Sequence, residues 1–294
     1  MDNVILLKFA SLTIFSLMFA IGINHSFEQL SSLWRRPGLL LRALLAVIVL
    51  VPLVVGLLMW LFDLPSAVAT GLAVLAAAPG APMMYKRTQM AAGEPTFAAS
   101  LQLTLALLAV VVTPLILAVF YALFELTTER VTPFHVILQV GEVTFLPVIL
   151  GLLIQRFAPK LSRVIAKPVQ KIANVLFVLL LLLIVVLLAI APDVRAMLNM
   201  GVLPIAAILI MAAISLVIGH LLGGPQRQQR STLAIACVAR NIGLAIYIAG
   251  LCDYGQQIIP TLLTYLILGA ITALPYSVWN KRQMRSTAAP RPGK

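Results

Sequence analysis

The sequence predicts an all-α polytopic membrane protein, and three observations predict it. Of 294 residues, 62% are hydrophobic and only 10% charged, whereas globular chains carry about 25% charged residues. Mean hydropathy is +1.06. The apolar residues gather into runs of about 20, the helical length that crosses a hydrocarbon core of about 30 Å. The formal charge of +12 does not point to nucleic acid, because the basic residues fall in connections and in the tail, where they set orientation in the bilayer. Cys237 and Cys252 fit neither a disulfide framework nor a metal cluster. His25, His135 and His220 fall at span ends without ligand spacing, so no metal or cofactor is expected.

Nine spans follow from the run lengths, at roughly 4–23, 39–61, 66–91, 96–124, 134–155, 168–191, 201–223, 229–251 and 257–280. The first is a span and not a signal peptide: MDNVILLKFASLTIFSLMFAIG carries Asp2, lacks a cationic leader and ends without a small-residue cleavage site. Arg35, Arg36 and Arg42 separate spans one and two. Arg156, Lys160, Arg163, Lys167 and Lys171 separate five and six, and Arg227 and Arg230 separate seven and eight. The alternate connections hold Asp63, then Glu125, Glu129 and Arg130, then Asp193 and Arg195, then Asp253. Every second connection is basic, which predicts an N-terminus outside and a C-terminus in the cytoplasm. Residues 1–280 read as one transmembrane domain and 281–294 as a basic, disordered tail.

Two spans are atypical. The third, 66–91, contains Ala78-Pro79-Gly80-Ala81-Pro82, followed by Lys86 and Arg87; the eighth, 229–251, contains Arg240-Asn241-Ile242-Gly243. Interrupted helices are tolerated at membrane depth only where the freed backbone lines a protein-covered cavity. Two of them, one in each half of a chain, are the sequence sign of an inverted-repeat secondary transporter whose site lies where the breaks cross. Four spans precede the midpoint and five follow it, so the first repeat lacks its opening helix. Pro79, Gly80, Pro82 and Gly243 are the expected helix breaks.

Arg240 carries the sharpest expectation. An arginine at mid-span costs roughly 3 kcal/mol on the mild insertion scales, and both ends of its span lie too far away for easy snorkelling. A role limited to helix packing competes with a role toward a ligand or as the replacement of an ion; the second is favoured, with Asn241 beside it. Lys86 and Arg87 read either as the inner end of a short span or as a second cationic element, next to Tyr85. Glu142 is the acid that falls inside a span. It reads as a hydration site, an ion-pair partner of Arg240 or Lys8, or a proton carrier, since burial raises a carboxylate's pKa. No nucleophile triad, HExxH pair or phosphate loop appears, so no enzyme is expected.

These motifs resemble the bile acid:sodium symporter family. LMFAIGI with SLWRRPGLLLRALLAVIVLVPL is similar to the family's first helix and loop. AAAPGAPMMYKRTQMAAGEPTFAASLQLTLALLAVVVTPL is similar to its first crossover helix, and LAIACVARNIGLAIYIAG to its second. The resemblance implies a panel and a core domain, two broken helices crossing in the core, and alternating access for an organic anion. It also implies sodium sites, at positions where this chain departs from the pattern. A Ser-Asn pair is replaced by Met84 and Tyr85, hydroxyls by Ala98 and Gln102, a glutamate and a glutamine by Ala236 and Arg240, and a further glutamine by Val47. Asn241 alone is kept. Hard ions need oxygen ligands, so the expectation is an organic-anion carrier of the inner membrane that does not depend on sodium, with Arg240 in the ion's place and Gln102 as a remnant ligand. Two rivals stay open: a carrier of the auxin-efflux or arsenite-exporter kind, and a non-transporting membrane receptor or scaffold.

Overall fold

The computed structural model describes residues 3–124, 133–190, 200–251 and 255–288, which are helical with short connections and contain no strand. The helices are α1 (Asn3–Asn24), the short α2 (Phe27–Trp34), α3 (Pro37–Leu61), α4 (Ser66–Ala77), α5 (Met84–Met90) and α6 (Pro95–Phe124). They continue with α7 (133–157), α8 (Pro159–Ile190), α9 (Val202–Leu222), α10 (Arg227–Val238), α11 (Ile242–Gly250) and α12 (Gly255–Ala288). Prolines open α3, α6, α7 and α8, where the missing N–H is one that no helix would use. A capping box opens α2: Ser26 Oγ accepts from Gln29 N at 3.2 Å and Gln29 Oε1 accepts from Ser26 N at 2.9 Å.

Eight helices among the described residues are long and apolar enough to cross a membrane, taking α10 and α11 together as Arg227–Gly250. The expected third span is not one of them. It divides into α4 and α5, because Pro79 and Pro82 remove backbone donors and Gly80 turns left-handed at φ 77°. A second departure concerns the basic stretch after residue 156, expected as a connection. Pro159 starts α8 directly after Ala158, so Lys160, Arg163 and Lys167 stand on the first turns of a helix that runs on through Pro168. In the same way α12 continues to Ala288, into the stretch expected as tail. Glu125, Glu129, Arg130, Asp193, Arg195, Asp253 and residues 289–294 lie outside the described residues.

Two groups of helices pack side by side. In one, α1 lies against α7 and α8; in the other, α9 packs on α10, and α12 on α4, α9 and α11. Close approach in the first group depends on glycine, since a Cβ on Gly151 would stand 2.6 Å from Ile23 N. One end of the molecule gathers connections that the charge pattern assigns to a single face. Arg36 Nη1 meets Glu94 Oε1 at 3.0 Å, Glu94 N donates to Thr232 Oγ1 at 2.9 Å, and Ser231 Oγ and Asn280 Nδ2 both donate to Ala91 O at 2.8 Å. Large side chains such as Leu53, Leu57, Leu115, Val185 and Ile271 turn outward, 48–61% exposed, as a lipid-facing surface requires. The span that carries Arg240 behaves oppositely: Arg227–Gly250 is 94% buried, whereas Pro159–Val186 is 17% buried. Chains in lipid hide polarity inside and show leucine outside.

Candidate functional site

The two interruptions meet. Residues 78–83 connect α4 to α5 without helical structure, and residues 239–241 do the same between α10 and α11. Asn241 N donates to Ala78 O at 2.9 Å, which ties one break to the other. Several freed backbone groups near the crossing have partners from elsewhere, as membrane depth demands. Gln102, 1% exposed on α6, donates Nε2 to Pro82 O at 2.7 Å and accepts from Tyr85 N at 3.2 Å, so one amide spans the first break. Tyr265 OH donates to Val238 O at 2.9 Å, and Asn241 Oδ1 accepts from Leu244 N at 3.1 Å as the cap of α11. A Cβ at Gly80 would come within 3.1 Å of Leu105 Cβ and 3.2 Å of Ala106 N, so this break needs glycine for space as well as for its φ.

Arg240 occupies the second break, 3% exposed. Its Nη2 donates to Val47 O at 3.1 Å, while Nε and Nη1 have no partner among the described residues. The acceptor exists because α3 is irregular. Leu45–Leu50 forms a π-helical turn in which Val51 N reaches back to Ala46 O, and the next residue, Pro52, has no N–H to give. The Val47 carbonyl therefore lacks its usual helical donors, and the guanidinium takes their place. The same device recurs in α7, where Gly141–Phe145 is π-helical, Leu146 N bonds Gly141 O, and Pro147 follows.

A cavity of about 40 Å³ opens beside this arginine, lined among others by Leu17, Ala81, Arg87, Phe177, Arg240 and Tyr265. Leu17 belongs to α1 and Phe177 to α8, so the cavity sits on the seam between the two helix groups. Two arginines line it and, among the described residues, no acidic one does. Two free donors on a buried, always-charged group are an anion-binding arrangement. Nη2 carries two protons. Whichever one it gives to Val47, the other stays aligned with Nε–H or with Nη1–H as a fork for a carboxylate.

Of the residues expected at the site, Arg240, Arg87 and Pro82 line this cavity, with Gly243 at its edge. Asn241 is 2% exposed and acts as helix cap and as the link between the breaks. Gln102 is engaged by backbone on both sides of its amide. Tyr85 packs edge-on against His25 with ring centroids 5.8 Å apart; burial holds His25 below its ordinary pKa, and its Nδ1 bonds Ile21 O at 2.7 Å. Lys86 is exposed and lies off the cavity lining. Two expectations need correction. Gly243 is not a break: it lies inside α11, two residues past the Asn241 cap, and a Cβ there would meet nothing closer than Ile14 Cγ1 at 3.4 Å. Glu142 is exposed on the π turn of α7 and forms no ion pair with Arg240 or Lys8; among the described residues Arg36–Glu94 is the ion pair formed. Helix α1 intervenes, packing against the π turn on one side and α11 on the other.

Tyr265, Phe177 and the Val47 carbonyl escaped the sequence reading. Tyr265 had a signal, since a hydroxyl in mid-span needs a hydrogen-bond partner. Pro52 within an apolar run signalled a freed carbonyl. Phe177 had none.

Broken helices that meet beside a cation-lined cavity, among eight described helices long and apolar enough to cross a bilayer, make this an integral membrane protein with a site at its centre. The chain belongs to the sodium bile acid symporter family, whose model matches residues 11–194. It is 27% identical over 247 residues to the human P3 protein, covering 80% of this chain and 50% of that protein. It is 26% identical over 144 residues to the uncharacterized sodium-dependent transporter YocS of Bacillus subtilis, covering 49% of this chain and 44% of that one. The chain thus spans about half the length of the curated relatives it matches.

Proposed function

We propose that this protein is a secondary transporter of a small organic anion, working by alternating access at the seam between the two helix groups. The observation that carries the reading is Arg240, 3% exposed on the cavity with Nε and Nη1 unpartnered among the described residues. A carboxylate fits the remaining fork, the half-buried Arg87 adds a second positive charge, and Leu17, Phe177 and Leu266 offer apolar wall to an organic body. Motion of α1 and α8 against the other group would open the seam to either side. The basic connections assign the end bearing Arg36 and Arg227 to the cytoplasm, in a cell inner membrane.

In this reading Arg240 supplies the charge that sodium supplies elsewhere in the family. Met84, Ala98, Ala236 and Val47 are fully buried and offer no side-chain oxygen to a hard cation. The Val47 carbonyl and the Gln102 amide, two oxygens that remain, are engaged by Arg240 and Tyr85. A sodium ion at about 4 Å from the guanidinium would meet a repulsion of about 4 kcal/mol at an effective dielectric of 20. That weakens binding by about three orders of magnitude.

The test is initial uptake by proteoliposomes from a panel of labelled carboxylates (acetate, pyruvate, benzoate and taurocholate), with the same anion inside and the membrane potential clamped. Uptake that is flat against sodium concentration, with choline as the replacement cation, is the expected result. A saturable rise from near zero as sodium is added would overturn sodium independence. Failure of every member of the panel both to bind and to enter would overturn the anion reading.

A further inference from the structure

We infer that the carrier is an obligatory anion exchanger, which crosses between its two open forms only with an anion bound. The inference rests on the anion reading of the Arg240 cavity and adds the mode of transport to it.

A carrier that borrows its positive charge from a dissociable cation can release that cation, discharge its site and close empty. Here the positive charges are covalent. Arg240 is permanently protonated, 3% exposed and held by one neutral acceptor, the Val47 carbonyl. Arg87 lines the same cavity, and no carboxylate among the described residues lines it or pairs with either arginine. The one carboxylate on a neighbouring π turn, Glu142, is exposed and separated from the site by α1. The cavity between the walls, about 40 Å³, has room for a few waters, not for a full hydration shell around two arginines.

Closing the seam on an empty site therefore strips water from an unpaired charge and from two donors at once. A bound monoanion removes both penalties, because it cancels one charge and accepts from the fork that Val47 leaves open. The loaded form passes through the closed state and the empty form is held back. The mild insertion penalty for an arginine at mid-depth corresponds to a factor of roughly 100 in the population of the closed empty form. The cycle then consists of an anion carried in and an anion carried out, with no net movement of charge for anions of equal valence.

Purified full-length protein is first screened by thermal shift against acetate, pyruvate, benzoate and taurocholate, and a member that binds becomes the probe. Its labelled form is presented to proteoliposomes that hold either the same unlabelled anion or none, with potential clamped. Initial uptake is expected to be roughly 100-fold faster into loaded vesicles. Equal initial rates into loaded and empty vesicles would overturn the exchange mechanism while leaving the anion site standing. No binding and no uptake by any panel member would remove the anion reading, and the inference with it. Arg240→Gln is expected to bring the loaded-to-empty ratio toward unity, and Arg240→Lys, which keeps the charge, to retain a large ratio at weaker binding. A ratio lost in Arg240→Lys would show that charge is not what holds back the empty carrier.

Discussion

At the scale of single residues the molecule turns on a guanidinium with one of its three nitrogens engaged. On the proposed anion reading an arginine is suited to this place and a lysine is not: the planar fork would grip a carboxylate through two parallel bonds while a third direction anchors on Val47 O. Arg240→Lys keeps the charge and loses the fork. A hydrogen bond to a charged group is worth about 1.5–3 kcal/mol, so the dissociation constant for the panel anion that binds best is expected to rise by about 10–100-fold. Titration by calorimetry measures it. An unchanged constant would show that the fork is not the contact. Gln102 and Tyr265 have a different task. Their polar atoms are engaged with Pro82, Tyr85 and Val238, and each keeps an interrupted helix end from carrying a bare backbone group at membrane depth.

At the scale of elements, interruptions are made by proline and used by a neighbour. Pro79 and Pro82 open the first break; Pro52 and Pro147 each follow a π turn. In α3 the consequence is a carbonyl without a helical donor, which becomes the anchor of Arg240. Pro52→Ala restores an N–H and removes the ring that crowds the preceding turn, so α3 is expected to relax to a regular α-helix with Val51 N bonded to Val47 O. Arg240 then loses its anchor, and anion binding is expected to weaken by about tenfold, one neutral hydrogen bond's worth, with no fall in thermal stability. A structure of the variant by cryo-electron microscopy reads the turn, and the binding constant reads the consequence. A π turn that survives the substitution would show that tertiary packing, not Pro52, makes it.

At the scale of the whole molecule, the charge pattern and the fold agree on which ends belong together. Arg36, Glu94, Thr232 and Asn280 come from distant parts of the chain and meet at one pole. In the proposed orientation, argued from the alternation of basic and acidic connections, that pole is cytoplasmic. Single cysteines introduced at Asp63 and at Lys167, on a background without the native ones, are expected to react with an impermeant thiol reagent from opposite sides of oriented vesicles. Labelling of both from the same side would break the assignment. The expected odd number of crossings requires α4 and α5 together to traverse the bilayer, and this experiment tests that too, because Asp63 precedes the pair and Lys167 follows it.

Much of this was legible in the residues. Composition alone requires lipid, since a chain 62% hydrophobic and 10% charged cannot present enough polar surface to water. Run length placed the helices, and the Pro79-Gly80-Ala81-Pro82 sequence placed the first break, because φ restriction and missing donors act locally. The second break carried no such local mark. Gly243 drew attention as a flexible residue, yet the chain leaves the helix at 239–241, where Asn241 caps the next helix and its N–H reaches Ala78 across the crossing. The sequence likewise announced that Arg240 needed a partner and could not name it. That partner is a carbonyl 193 residues away, freed by a proline on another helix, and the cavity walls Leu17 and Phe177 come from the opposite helix group. Backbone geometry is set by nearby residues and can be read in order along the chain; the partner of a buried charge is set by which helices happen to lie against it, and only the packed molecule decides that.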